Sequence, residues 1–258
     1  MPLFNTEGIV LKQFDLGEAD KIITFITRDM GKLRAVAKGV RKTRSSISGL
    51  VLPFSYAEVT IYRGRSLDKI NRIKVKYSFS PLREDLTRMA YASYMAEFIE
   101  KVSVEDDNNR ALFSLLLSSF HRLLKAEEIS EYNHIILAFK IRILVILGIK
   151  PELSSCVDCG QQNNPGSINI FSIERGGLLC HNCSSNHMDG MGGVQKISGE
   201  SLRIMANIID SGLKPLDKLK ISTQAFEELD GLLDSFITYH LDLRFKSLDF
   251  LHMIRDLG

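Results

Sequence analysis

The chain has no tryptophan, only four cysteines among 258 residues, and no long apolar run. Each shortage excludes something. Without tryptophan the best side chain for stacking on a flat ligand is missing. No segment reaches the roughly 18 to 20 continuous apolar residues that a membrane span needs. The opening MPLFNTEGIVLK lacks a basic stretch followed by an apolar one, so a secretory signal is not expected. HEXXH and H-x-E signatures are missing, and Asp, Glu and His are dispersed along the chain, which argues against an enzyme such as a metal-dependent nuclease. Repeats and low-complexity tails are also lacking. The cysteines form two C-x-x-C pairs, which fits metal binding in a reducing compartment better than disulfides, so a cytoplasmic location is expected.

What is present is a globular composition, 45% hydrophobic and 25% charged, with enough apolar mass for a core. The formal net charge of +2 hides an asymmetry. Residues 1–80 hold 15 Lys+Arg against 7 Asp+Glu, or +8, and the rest hold 18 against 24, or −6. Such a split points to a polyanion-binding module joined to something else, with a boundary near residue 80.

The first eighty residues read as five short strands, GIVLKQF, KIITFIT, KLRAVAK, YAEVTIY and INRIKVKY, separated by Gly, Asp, Asn and Ser turns. Five strands at this spacing predict an OB-type barrel. Alternation places Lys32, Arg34, Val36 and Lys38 on one face of the third strand, with Leu33, Ala35 and Ala37 on the other. In the fifth, Arg72, Lys74 and Lys76 share a face opposite Ile73, Val75 and Tyr77. In the fourth, Tyr56, Glu58, Thr60 and Tyr62 form the polar face over a core side of Ala57, Val59 and Ile61. The loop KGVRKTRS adds Arg41, Lys42 and Arg44, and the RGRS turn adds Arg63 and Arg65. No acid occurs between Asp29 and Glu58. Basic stripes beside outward tyrosines are how OB-type modules hold single-stranded nucleic acid, cations on phosphate and rings on bases. The plainer alternative is a solvated outer face, which accounts for any single cation, whereas the coordinated pattern favours nucleic acid.

From Pro81 the period becomes 3.6. One helix carries a stripe of Leu82, Leu86, Met89, Ala90, Tyr94, Phe98 and Val102, with Glu84 and Asp85 near its N-terminal end. A second spans about 109–125 with Leu112, Phe113, Leu116, Leu117, Phe120 and Leu124 inward. A third, about 131–148, is apolar all round except for Lys140 and Arg142, so it should be buried centrally and its cations must snorkel or meet a partner. Arg142 is either a carboxylate receptor at a hydrophobic groove or part of an internal salt bridge.

Cys156, Cys159, Cys180 and Cys183 form C-x2-C-x20-C-x2-C, the strongest local motif. Two such knuckles close a tetrahedral Zn²⁺ site that leaves no open position for catalysis. GSINIFSIERGGLLC between them reads as a strand, a Gly-Gly turn and a return strand, as in a zinc ribbon. His181 and His187 are expected on the surface, and SSNHMDGMGG as a loop. Helix resumes at SGESLRIMANIIDSG, with Ser198 as N-cap and Gly212 as stop. A longer helix begins near Ser222, with Phe226, Leu229, Leu233, Phe236 and Tyr239 inward and Glu227, Glu228, Asp230 and Asp234 as its solvated face.

TEGIVLKQFDLGEADKIITFITRDMGKLRAVAKGVRK, LPFSYAEVTIYRGR, the cysteine insert after LGIKPEL and the terminal YHL…FKSLDFL together resemble the RecO family of bacterial recombination mediators, over the whole of residues 1–258. The segment HLDLRFKSL departs from it in lacking a Gly-Lys/Arg-Pro pattern. The resemblance implies an α+β chain: an N-terminal five-stranded OB-fold β-barrel (1–80), an α-helical domain (81–150 and 191–258), and a four-cysteine, zinc-ribbon-like insert (151–190). It implies binding of single- and double-stranded DNA, strand annealing, partnership with RecR and with the acidic tail of single-stranded DNA-binding protein, and loading of RecA near the nucleoid, without catalysis. Arg142 and Lys140 are the candidate receptors for that tail. An RNA-binding or transcription-associated OB and zinc-ribbon protein is the rival reading.

Overall fold

A computed structural model describes residues 3–42, 48–162, 169–185, 193–212 and 220–256. Five strands close into a barrel in the order β1 (Leu3–Leu16), β2 (Asp20–Thr27), β3 (Gly31–Ala37), β5 (Asp68–Tyr77), β4 (Tyr56–Tyr62). All neighbours are antiparallel except β3 and β5. Strand β1 closes the ring, pairing with β4 through its first half and with β2 through its second. The expected OB-like barrel is therefore observed. Leu33, Ala35 and Ala37, and likewise Ala57, Val59 and Ile61, face inward as their alternation predicts. Small and large side chains together fill the interior of so narrow a barrel. Strand β2 breaks the alternation: Thr24, Phe25, Ile26 and Thr27 are all buried, because helices cover its outer side.

Those helices are α2 (Leu86–Val102) and α3 (Arg110–Lys125), preceded by a single turn, α1 (Pro81–Glu84). The one helix expected from residue 82 breaks at Asp85. Its backbone is extended, and its carboxylate accepts from the Arg88 N–H at 2.7 Å, so it starts α2. Leu86 thus sits exposed in a first turn and leaves the apolar stripe. Asn109 starts α3 in the same way. On α3, Leu115 and Leu123 are buried where Leu117 and Leu124 were expected, a shift of the stripe by one position or two.

The C-terminal helix α8 (Lys246–Asp256) packs on α2. Glu97 accepts from the Lys246 and Ser247 N–H groups, and Phe245 meets the rings of Tyr94 and Phe98 at 5.4 and 4.7 Å. One compact unit is accordingly Met1–Ala126 with Phe245–Gly258, and the other is Glu127–Arg244. These units are drawn differently from the expected limits at 80, 150 and 190. Helices that bury a face on β1 and β2 belong to the barrel's core whatever their own charge.

The second unit contains α4 (Ile129–Ile146), β6 (Asn169–Ser172), β7 (Gly177–Leu179), α5 (His181–Ser185), β8 (Val194–Ile197), α6 (Gly199–Ser211) and α7 (Thr223–Leu241). Ser198 and Ser222 cap α6 and α7. Helix α4 packs against both and is buried nearly all round, as expected. Lys140 is fully buried, and its ammonium bonds Asp230 at 2.7 Å and also Asp234. Arg142 is buried too and donates to Ser211 Oγ at 3.3 Å. Both cations of α4 are thus buried within the unit. One expectation is corrected here. Asp230 and Asp234 are ion-pair partners of α4, not a solvated face. Tyr239 turns to solvent, and Ala225, Leu232 and Ile237 complete the inner stripe of α7 instead.

Two outcomes are expected. Lys140→Ala removes the buried cation that both Asp230 and Asp234 bond and should cost about 3–5 kcal/mol in denaturant unfolding, whereas Lys140→Met with Asp230→Leu and Asp234→Leu should recover most of it. Gly31 has φ +62°, and a Cβ there would lie 2.2 Å from the Asp107 carbonyl and 2.7 Å from that of Val104. Gly31→Ala should therefore destabilise by roughly 1–3 kcal/mol, measured the same way.

Candidate nucleic-acid interface and metal centre

The outer face of β3, β4 and β5 carries the cations. Cross-strand pairs set Tyr62 opposite Lys69, Thr60 opposite Arg72 and Glu58 opposite Lys74, and directly opposed residues share a face. Lys69 escaped the alternation argument. A bulge between the Thr60–Arg72 and Ile61–Ile70 pairs inserts Asn71 and switches parity, so Lys69 joins Arg72 on the outside. A second bulge, at Lys76, sends Tyr77 outward opposite Tyr56, where alternation had put it with the core.

The basic loop is fastened to the β1–β2 turn. The Gly39 N–H donates to Asp20 at 2.8 Å, and the Arg41 N–H to the Ala19 carbonyl at 2.9 Å. The predicted cations then divide into two sets. Lys32 donates to the Glu100 carbonyl at 3.0 Å. Arg34 lies 3.4 Å from Glu105. Arg41 bonds the Gly17 carbonyl and meets Asp15 at 3.3 Å. Arg63 bridges Asp68 and Asp106 at 3.1 and 3.0 Å over the Phe4 ring. Lys76 is bound to Glu7, which also accepts from the Tyr56 hydroxyl at 2.6 Å and faces Arg28 at 3.5 Å. The Lys76 ammonium and then the Tyr56 hydroxyl hold the Glu7 carboxyl below the usual carboxylate range. A window free of acids in sequence is thus not free of them in space.

Lys38, Lys42, Arg65, Lys69, Arg72 and Lys74 are exposed and have no ion-pair partner among the described residues. Arg44 lies outside the described residues. Tyr62 is exposed beside Lys69. Tyr56 is half-buried, with its ring edge-on to Phe113 and its hydroxyl committed to Glu7.

In the second unit β6 pairs antiparallel with β7 on one side and β8 on the other. The expected strand, glycine turn and return are present, and β8 adds a third strand. The turn is tight: a Cβ on Gly177 would lie 2.4 Å from the Glu152 carbonyl. That carbonyl accepts from Leu178, and the Leu178 carbonyl from Val157, so β7 is tied to the first knuckle. Ligand atoms of Cys156, Cys159, Cys180 and Cys183 all lie within 4.8 Å of one another, and the Cys159 and Cys180 sulfurs are 3.7 Å apart. Tetrahedral Zn–S bonds of about 2.3 Å place sulfurs about 3.8 Å apart. Burial opposes ionisation of Cys156, but the N–H groups of Cys159, Cys180 and Asp158 lower its thiol to about 6. The sulfurs of Cys180 and Cys159 push Cys183 upward. Four sulfurs this close can hold a metal ion, and the donor set suits zinc. His181 is exposed at the start of α5, and His187, with most of the SSNHMDGMGG segment, lies outside the described residues. No described helix is long and apolar enough to cross a membrane.

Comparison with known proteins agrees with this architecture. Family models for the N-terminal and C-terminal parts of recombination protein O match residues 1–79 and 83–249. Their junction falls near residue 80, where the strand period ends. The chain is 37% identical to a DNA repair protein RecO from Alkaliphilus metalliredigens, over 96% of this chain and 98% of the relative. It is 34% identical to one from Symbiobacterium thermophilum, over 99% of each, and 32% identical to one from Desulforamulus reducens, over 97% and 94%. With a closed barrel bearing a cationic face, a helical unit with four clustered thiols, and matches across nearly its whole length, the chain belongs to the RecO family.

Proposed function

We propose that this protein is a non-catalytic DNA-binding mediator of recombination in DNA repair. The observation that carries the reading is the outer barrel face, where Lys38, Lys69, Arg72 and Lys74 stand without carboxylate partners among the described residues. Val36 pairs with Lys69 across β3 and β5, so Lys38 and the β5 cations continue one surface. Cations of this kind take up phosphates and release counterions, whatever the base sequence. Lys42 and Arg65 extend the surface at the loops. Arg34, Arg41 and Arg63 sit in partly exposed ion pairs, which hold little net energy and can be exchanged for phosphate.

Single- and double-stranded DNA both present phosphates to such a face, and two strands held on it lose their mutual repulsion, which favours annealing. Family membership supports action with RecR on strands coated by single-stranded DNA-binding protein, so that RecA can load. Lys140 and Arg142, the candidate receptors for that protein's tail, are both buried, which does not support that role for them. The cysteine quartet is read as a structural Zn²⁺ site, one ion per chain, held by Cys156, Cys159, Cys180 and Cys183. When bound, the ion cross-links two knuckles and a sheet of strands only three or four residues long, a segment with little core of its own.

The DNA reading is tested by fluorescence anisotropy of labelled single-stranded DNA across a salt series, with RNA as competitor. Lys69→Ala, Arg72→Ala and Lys74→Ala together should weaken binding and flatten the log–log salt slope by about 2, from three contacts at about 0.7 each. Lys76→Ala, already neutralised by Glu7, should flatten it less. An unchanged slope in the triple variant would overturn the reading, and preferential binding of RNA would favour an RNA-binding protein. For the metal, Cys156→Ser with Cys159→Ser should release one equivalent of zinc by mass spectrometry and lower the melting temperature while single-stranded DNA affinity is kept. Acidification should also release the ion as thiolates protonate.

A further inference from the structure

We infer that Tyr77, backed by Phe79 and His121, is a stacking platform for a base of single-stranded DNA. The inference rests on the DNA-binding reading above and names a contact within it that charge does not reveal.

Three features build the platform. The bulge at Lys76 re-aims Tyr77 from the interior to the outer face, opposite Tyr56. Phe79, two residues on, adopts φ +49°, a left-handed conformation costly for a bulky residue, and is fully buried beneath. Its ring centroid lies 4.5 Å from that of Tyr77, and His121 of α3 completes the backing at 5.2 Å from Tyr77 and 4.9 Å from Phe79. Phe120 braces Phe79 from below at 5.5 Å. The ring of Tyr77 is therefore held against buried Phe79 and exposed His121 while the residue itself stays 43% exposed.

A side chain serving only to cover Phe79 would bury itself in that contact. Tyr77 instead shows much of its surface to solvent on the side of the barrel that carries Lys74. Burial, then the nearby charge of Lys125, holds His121 below the usual imidazole range, so at neutral pH it acts as an uncharged ring in the stack, with Lys125 beside it. A pre-fixed ring flanked by cations matches an unpaired nucleotide, whose base has an open π-face and whose phosphate is anionic. Duplex DNA hides its base faces in the stack and cannot use the platform.

The experiment compares wild type, Tyr77→Phe and Tyr77→Ala in anisotropy titrations with oligo-dT and with a hairpin duplex at several salt concentrations. Tyr77→Ala should lose about 5- to 100-fold in oligo-dT affinity. Its salt slope should be unchanged, because no phosphate contact is removed, and its duplex affinity should be kept. Tyr77→Phe should behave as wild type. Wild-type binding with no loss in Tyr77→Ala, or an equal loss on duplex, overturns the platform and leaves the DNA reading standing. Failure of wild type to bind DNA overturns both. Should Tyr77→Ala melt early, photocross-linking of wild type to 5-iodouracil DNA decides: a cross-link mapped to Tyr77 by mass spectrometry supports the platform, and cross-links only elsewhere overturn it.

Discussion

Closure of the barrel by β1 is the constraint on which the first unit depends. A single strand that pairs with both β2 and β4 joins the two halves of the sheet into a ring, and the side chains divide into inside and outside. The interior accepts only what fits, here Val, Ile, Leu, Phe and Ala. The outside then divides again. Helices α2 and α3 take the part over β1 and β2, and the outer side of β3, β4 and β5 keeps the charges. The cationic surface is in this sense what the core and the helices leave over.

Within that surface, charge in sequence and charge in space diverge. Asp15, Glu105 and Asp106 are far in sequence from most of the cations they reach, and Glu7 collects Lys76, Arg28 and the Tyr56 hydroxyl at one carboxylate. These contacts orient the cations without burying them, so the paired set can re-partner while the unpaired set stands ready. The second unit uses the same chemistry the opposite way. Lys140 of α4 is buried against Asp230 and Asp234 of α7, where desolvation offsets much of the attraction between the charges.

The two bulges of β5 explain where period-2 reasoning succeeded and failed. It placed Ile73, Arg72 and Lys74 correctly because they lie between the bulges. It misplaced Tyr77 and did not reach Lys69 because each lies beyond one, and an inserted residue reverses every face that follows. Helical periodicity failed for a related reason at Leu86 and Tyr239. Stripes identify a helix's apolar side, but where the helix begins, and how far its covered face extends, depend on a cap or a neighbour that the window does not contain.

The sequence alone determined the number and nature of the barrel strands, the five longest helices and the Ser198 cap, the zinc-type cysteine spacing and the family, because these follow from local periodicity, local hydrogen bonding and motif spacing. Tertiary structure alone decided which cations meet carboxylates, that Lys140 is internal, that α8 joins the barrel's unit, and that Tyr77 faces outward on an aromatic base. Each of those depends on contacts between residues distant in the chain, or on a one-residue change of register against a partner strand, and neither is written in any short stretch of sequence.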